Sequence, residues 1–296
     1  MPNQIKLIHL LRLNILVQSA IIVTGAIVRI TKSGLGCPTW PQCVGNSIVP
    51  VAGQQESWHK YVEFGNRLLT FVLLVVAVLV FISVWKTQKN KRLTLLALTP
   101  LLGTVAQAIL GGITVLTGLH PITVALHFLV SILIVGLSFL LFVKVKNEDS
   151  PLKPSPLLSL FLLSAFSTLT LGTIVTGSGP HSGDQYASSR FAFDLTTIAN
   201  VHSKSVWLFT ALAFLIWLKS FKSGKTSNSR DFVFLGMAIG IQAGIGYYQF
   251  HQGVPEILVF LHVIGATIFW TACLQLFFKL SMANSIEVNQ DQPQKR

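Results

Sequence analysis

Acidic residues are scarce in this 296-residue chain, which has 10 Asp and Glu against 22 Lys and Arg. Charged residues make up only 11% of the sequence, whereas about a quarter is usual in soluble domains. Between Leu93 and Val143, 51 consecutive positions hold no Asp, Glu, Lys or Arg. This composition argues against a disordered chain and against an ordinary soluble enzyme. The basic residues form no patch with interleaved aromatic residues, so we expect no nucleic-acid partner.

Long apolar runs take the place of charge, and hydrophobic residues account for 51% of the chain. A helix needs about 20 mostly apolar residues to cross the hydrocarbon core of a lipid bilayer. The turn at 118–121 contains Gly and Pro and divides the charge-free run into two such spans. The sequence therefore predicts an all-α, polytopic membrane protein with eight transmembrane helices. The six further spans lie near residues 12–31, 63–85, 156–177, 196–218, 232–250 and 256–278.

The basic residues are concentrated on one side of these spans. The connections at 86–92, 144–153 and 219–230, together with the two tails, carry 16 of the 22 Lys and Arg. Positive charge is retained on the cytoplasmic side of a membrane, so both termini are expected in the cytoplasm. The first apolar run continues into Arg29 without a small-residue cleavage site, and it is interpreted as a span, not as a removable signal peptide.

The second half of the chain repeats the first. A shift of 135 residues gives eight identities in 21 positions, and a shift of 147 residues aligns a further segment. Two tandem four-helix bundles, residues 1–150 and 151–296, are therefore expected, related by a pseudo-twofold axis along the membrane normal. The aligned pairs include Gln107 and Gln242, Gly111 and Gly246, His127 and His262, and, at the larger shift, Gly25 and Gly172.

Three of the eight histidines, His127, His202 and His262, fall inside apolar runs. An ionisable side chain within a span faces the protein interior and is a functional candidate. The alternative is a histidine that only hydrogen-bonds between helices. All three lie at a similar depth, about 10 Å into their helices at 1.5 Å per residue. Facing histidines in a four-helix bundle can hold haem, so the second half offers a haem-binding pair, and the first offers His127 opposite Asn66.

These features resemble the haem A synthase family, membrane enzymes that oxidise a methyl group of haem O to the formyl group of haem A. The resemblance covers nearly the whole chain. It rests on Gly-Leu-Gly-Cys-Pro-Thr-Trp-Pro-Gln-Cys at residues 34–43, on Glu-Phe-Gly-Asn-Arg at 63–67 and on the three intramembrane histidines. It implies haem b as a cofactor on His202 and His262, and haem O as the substrate on His127. It also implies a bacterial plasma membrane, a haem O synthase as partner, and an electron acceptor or donor.

The resemblance implies roles for further residues. Glu63 is the expected general acid/base, although an isolated Glu there would be a solvated residue at a helix start. Arg67 and Lys204 are expected to contact haem propionates; alternatively they extend to lipid headgroups. The family pattern has a histidine in place of Asn66, so the haem of the first half has one protein ligand or borrows His59.

Cys37 and Cys43 share the first outer loop, where an oxidising compartment favours a disulfide. A purely structural disulfide and two free thiols in a poorly ordered loop are the alternatives to a functional pair. The resemblance suggests a redox-active pair that exchanges with an extracytoplasmic thiol-disulfide protein. Some family members carry a second cysteine pair in the later outer loop, and residues 177–181 contain none.

Two other functions are considered. A dihaem b-type membrane cytochrome for electron transfer requires two sites with two histidines each, and Asn66 counts against it. A duplicated transporter predicts broken helices and acidic residues at the membrane midplane, and neither is evident in the sequence.

Overall fold

The computed structural model describes residues 2–147, 150–222 and 229–290, and within these ranges the chain forms eight α-helices and no named strand. The all-α class predicted from the sequence is confirmed. Part of the last basic connection and the end of the C-terminal tail lie outside the described residues. The helices are α1 (Pro2–Ile30), α2 (His59–Gln88), α3 (Lys91–Leu116), α4 (Pro121–Lys146), α5 (Pro156–Ser178), α6 (Leu195–Lys222), α7 (Ser229–His251) and α8 (Glu256–Gln290).

Seven of these eight helices are long and apolar enough to cross a membrane, and the exception is α7. Its 23 residues are long enough to cross a bilayer. Its composition is not apolar enough, because charged residues occupy positions 230 and 231 and polar or glycine residues recur through its second half. The protein is thus a multi-pass membrane protein, and the predicted eighth span is not confirmed.

The two tight turns, after α3 and after α7, share one backbone conformation. Gly118 and Gly253 have φ angles of +62° and +73°, and the next residues, Leu119 and Val254, have +58° and +61°. Glycine adopts such left-handed angles without steric cost. These four positions are equivalent under the 135-residue shift, so the local structure of both turns agrees with the duplication.

The two halves pack differently. In the first half each helix packs against the next and α1 closes the ring against α4, which makes a four-helix bundle. In the second half α5 packs on α6 and α7 on α8, but α6 and α7 make at most sparse contact among the described residues. The exact symmetry expected from the duplication is therefore not confirmed.

The halves meet where α1 packs against α8 and α4 packs against α5 and α8, beside a largely apolar core that includes Phe161, Phe209 and Phe269. Trp270 on α8 is 4% exposed, and its Nε1 donates a hydrogen bond to the backbone oxygen of Ile132 on α4 at 2.9 Å. The indole thus combines apolar burial with a directional bond between the halves.

We expect Trp270→Phe to lower the thermal unfolding midpoint in detergent, because it removes this interhelical hydrogen bond, worth about 0.6–1.7 kcal/mol in membrane proteins. Trp207→Phe is the matched control, since Trp207 is 69% exposed on α6. Equal unfolding midpoints for the two variants would show that the hydrogen bond between Trp270 and Ile132 contributes nothing to stability.

Candidate functional site

The intramembrane histidines of the second half are His202 on α6 and His262 on α8. A Cβ atom built at Gly172 on α5 would lie 3.4 Å from Cε1 of His202, and one at Gly246 on α7 would lie 3.2 Å from Cε1 of His262. Each imidazole therefore packs directly against the backbone of a neighbouring helix, which glycine permits because it has no side chain.

These imidazoles have ring nitrogens without protein partners. Nδ1 of His262 is buried and forms no hydrogen bond with any residue that the structure describes. Nδ1 of His202 is likewise buried and has no hydrogen-bond partner among the described residues. Unpaired polar atoms are costly within a membrane, whereas imidazole nitrogen is a common ligand of haem iron. The residues present therefore fit a haem iron between α6 and α8.

The start of α6 positions His202. Asp194 immediately precedes the helix, and its Oδ2 accepts hydrogen bonds from the backbone N–H and the hydroxyl of Thr197 at 2.7 and 2.8 Å. These bonds hold the pKa of the Asp194 carboxyl below its ordinary value. The charged carboxylate caps the positive end of the helix dipole, so α6 begins at a fixed residue two turns before His202.

His127 on α4 has similar surroundings in the first half. A Cβ atom at Gly111 on α3 would lie 3.2 Å from its Cε1, and its Nδ1 is buried without a hydrogen-bond partner in the described ranges. Gln107 on α3 donates from Nε2 to the backbone oxygen of His127 at 2.8 Å and to Oγ of Ser131 at 2.6 Å. These bonds tie α3 to α4 at the level of the imidazole.

Asn66 on α2 and His127 line the same cavity, which has a volume of about 60 Å³. Thr24 on α1 donates from Oγ1 to Oδ1 of Asn66 at 2.8 Å and so orients the amide. Seven of the nine lining residues have polar side chains, although the cavity lies within the helix bundle. It consists of Gln18, Ile21, Asn66, Thr70, Leu73, Thr104, Gln107, His127 and Ser131.

The polar residues that α1 and α3 contribute to the cavity were not predicted from the sequence. Gln18 donates from Nε2 to Oγ1 of Thr104 at 3.1 Å, and both side chains are almost fully buried. The available signal was the presence of amide and hydroxyl side chains inside apolar runs, where each needs a partner. Threonine commonly bonds to its own helix, so this signal alone does not distinguish a cavity from ordinary helix packing.

Glu63 and Arg67 lie one turn apart on α2 and form an ion pair with an N–O distance of 2.6 Å. Glu63 is 5% exposed, and its Oε2 accepts a hydrogen bond from the backbone N–H of Cys37. Glu63 precedes Asn66 by three positions, so the two side chains share a face of α2. The carboxylate therefore lies about one turn from the cavity, toward the first long loop.

Arg67 fixes this first long loop, residues 31–58, to α2. Its guanidinium donates to the backbone oxygens of Cys37, Thr39 and Gln42 at 2.8, 2.9 and 3.1 Å. Cys37 and Cys43 form the expected disulfide, and both are fully buried. All three guanidinium nitrogens have protein partners, and the contact of Arg67 with a haem propionate stays a prediction.

The remaining predicted residues lie away from the cavity. His59 is at the start of α2, where its Nδ1 is 3.0 Å from Oγ of Ser33 and its ring stacks on Trp58. It is not among the residues that line the cavity of the first half. Lys204 is exposed on α6 and forms no hydrogen bond or ion pair with the described residues.

Arg29 at the end of α1 links the two halves. Its Nε donates to the backbone oxygen of His181 and its Nη2 to that of Thr176, both at 2.9 Å. The two long loops also bond to each other, because Gly34 donates its N–H to the backbone oxygen of Gly183 at 2.8 Å. These contacts cover the same end of both halves.

Replacing Arg67 by Gln should accelerate reduction of the Cys37–Cys43 disulfide by a water-soluble phosphine. A hydrogen bond to a charged group is worth about 1.5–3 kcal/mol, so even one lost bond raises the open-loop population, and the reduction rate, by about tenfold or more. Arg190→Gln is the control, because Arg190 holds backbone oxygens of the second long loop. Equal reduction rates in both variants would contradict the role of Arg67.

The sequence matches known proteins in a way consistent with this arrangement. A family model described as cytochrome oxidase assembly protein, COX15-CtaA, matches residues 9–274. The Heme A synthase of Geobacillus kaustophilus (strain HTA426) is 32% identical over 135 residues, which are 45% of this chain and 41% of that protein. The Heme A synthase of Listeria welshimeri is 32% identical over 123 residues, which are 41% of this chain and 39% of that protein. The matched regions span about two fifths of these relatives.

The family model covers most of the chain, and the chain therefore belongs to the COX15-CtaA family of cytochrome oxidase assembly proteins.

Proposed function

We propose that this protein is a haem A synthase, which oxidises a methyl group of haem O to a formyl group. The observation that carries the proposal is the set of three intramembrane histidines, each packed against a glycine of a neighbouring helix. The relatives named Heme A synthase support the same activity. In this proposal α7 also crosses the bilayer, and residues 1–150 and 151–296 form two related bundles. Both termini face the cytoplasm of a bacterium, with the long loops outside.

In the second bundle, His202 and His262 would hold haem b. Bound there, haem b would supply one-electron transfer. The two glycines set the depth of each imidazole, and the Asp194 cap fixes the start of α6. Lys204 is exposed on α6 two residues after His202, and its contact with a propionate is part of the proposal.

In the first bundle, His127 binds the substrate haem O. Successive oxidations of a methyl group remove protons as well as electrons, so a proton acceptor is needed close by. Glu63 is the proposed acceptor, because its carboxylate is buried about one turn from Asn66. Arg67 and the Cys37 N–H hold both carboxylate oxygens in place. In this proposal Arg67 positions the Glu63 carboxylate, and it contacts a haem propionate when the first long loop shifts.

The proposed partners follow from this chemistry. A haem O synthase delivers the substrate, and an electron acceptor or donor exchanges electrons with haem b. Thiol exchange of Cys37 and Cys43 with an extracytoplasmic thiol-disulfide protein would require the loop to open, since both sulfurs are fully buried. A dihaem b-type cytochrome is the second candidate, but Asn66 leaves the first site with a single histidine.

The histidine variants should separate the two sites. His202→Ala or His262→Ala should remove the low-spin haem b spectrum and, as a consequence, the activity. His127→Ala should leave that spectrum largely intact and stop haem A formation, because the two sites have no ligand in common. The measurement is the optical spectrum of purified protein together with the extracted haem. If His127→Ala removes haem b and His262→Ala spares it, the sites are assigned to the wrong halves.

Glu63→Gln should allow haem O to bind and slow its oxidation by about 10²–10⁴-fold, the usual contribution of a general acid or base. The measurements are haem O content and haem A formation in the same preparation. Glu256→Gln is the matched control, because Glu256 starts α8 and its side chain is 49% exposed. A Glu63→Gln variant that makes haem A at the normal rate would remove Glu63 from the mechanism.

A further inference from the structure

The two halves differ most at the position opposite the equivalent histidines His127 and His262. In the second half, the imidazole of His202 lies 3.4 Å from a Cβ atom built at Gly172. The aligned glycine of the first half, Gly25, has no described atom within 4 Å of such a Cβ. Asn66 occupies the place of His202 and has a shorter side chain. The duplicated glycine is thus kept in the first half, and the imidazole is not.

The Asn66 amide is oriented by a residue that the second half lacks. Thr24 donates to Oδ1 of Asn66 at 2.8 Å, and the aligned position in the second half is Leu171. Oδ1 has two lone pairs, and one of them faces the Thr24 hydroxyl, which also lies 3.1 Å from the backbone oxygen of Ile21. An amide oxygen suits Mg²⁺ or Ca²⁺, whereas imidazole suits iron. We therefore interpret Asn66 as a hydrogen-bonding residue at the cavity and not as a ligand of haem iron.

Three residues that make the cavity of the first half polar have apolar counterparts in the second half. Gln18, Thr104 and Ser131 line it on three different helices, and the aligned residues of the second half are Ala165, Ile239 and Ala266. In addition, Oε1 of Gln107 is buried without a hydrogen-bond partner among the described residues. A cavity of about 60 Å³ has room for more than one water-sized molecule. Polar lining and an unpaired acceptor are what a small polar ligand requires.

We propose that the first bundle contains a binding site for a small neutral ligand, water or a diatomic gas, bounded by Asn66 and Thr24 and facing His127. A haem held by His127 would then bind this exchangeable small ligand in place of a second protein ligand. This inference rests on the proposed function, because it takes His127 as the haem ligand. The second bundle has no such site, since His202 fills the equivalent space.

The test uses the complete protein, purified with its haems after co-expression with a haem O synthase. The ferric spectrum reports water through a high-spin component, and carbon monoxide added to the reduced protein reports a diatomic ligand. Wild type is expected to show both signals, from the haem on His127 only. Asn66→His should abolish both, because a second imidazole makes that haem six-coordinate and low-spin.

The duplication provides a matched variant in the opposite direction. His202→Asn gives the second bundle the residue found in the first, and it should about double the carbon monoxide signal if haem b is retained on His262. Thr24→Val removes the partner of Asn66, and we expect about a tenfold or larger change in carbon monoxide affinity without a change in spin state.

Two results would overturn the inference. One is a wild-type protein that binds haem through His127 but is entirely low-spin and does not bind carbon monoxide. The other is a gain of the carbon monoxide signal in Asn66→Leu, which would mean that Asn66 itself is a ligand. If Asn66→His does not fold, Asn66→Leu replaces it as the test variant, because we expect the haem on His127 to remain high-spin in Asn66→Leu. Failure of the proposed function looks different: His127→Ala would then leave the haem content and the carbon monoxide signal unchanged.

Discussion

The contact between an imidazole ring and a helix glycine is the interaction on which both sites depend. It occurs three times, at Gly111 with His127, Gly172 with His202 and Gly246 with His262. Within hydrocarbon a polar ring needs both space and a partner, and a larger residue at any of these glycines would displace the ring. The contact fixes how far each imidazole extends into its bundle. The site geometry is therefore set by helix packing and not by loops.

The first long loop is coupled to the first bundle through one short stretch of α2. Arg67 bonds to three backbone oxygens of the loop, and Glu63 accepts the N–H of Cys37. Trp40 from the same loop packs against Gly112 on α3, next to the glycine that contacts His127. A change in the disulfide would be transmitted to Glu63 directly. The carboxylate, the disulfide and the bundle thus form one packed unit.

The sequence predicted the features that depend on periodic hydrophobicity and on the duplication. The two spans of the charge-free run, the turn at Gly118, and the disulfide between Cys37 and Cys43 are confirmed. The predicted span that was not confirmed is α7, where glycine and polar residues interrupt the apolar pattern. Sparse contact between α6 and α7 could not be predicted, because packing depends on side-chain fit between helices that sequence similarity does not describe.

The roles of single polar residues were harder to predict than the helices. Arg67 was expected to contact a haem propionate, yet it donates to backbone oxygens of the first long loop, and Arg29 donates to a backbone oxygen of the second. An arginine at the end of a span has many possible acceptors, and only the folded loops decide among them. The polar cavity was missed for a related reason. Gln18 and Thr104 come from helices 86 residues apart in the sequence, and no local pattern joins them.

The central claim is that two related bundles hold chemically different haems. The most direct test is extraction and identification of the pigments from protein purified after co-expression with a haem O synthase. We expect haem b in an amount equal to that of haem O and haem A together. Haem b alone at both sites would contradict it and would indicate a dihaem cytochrome.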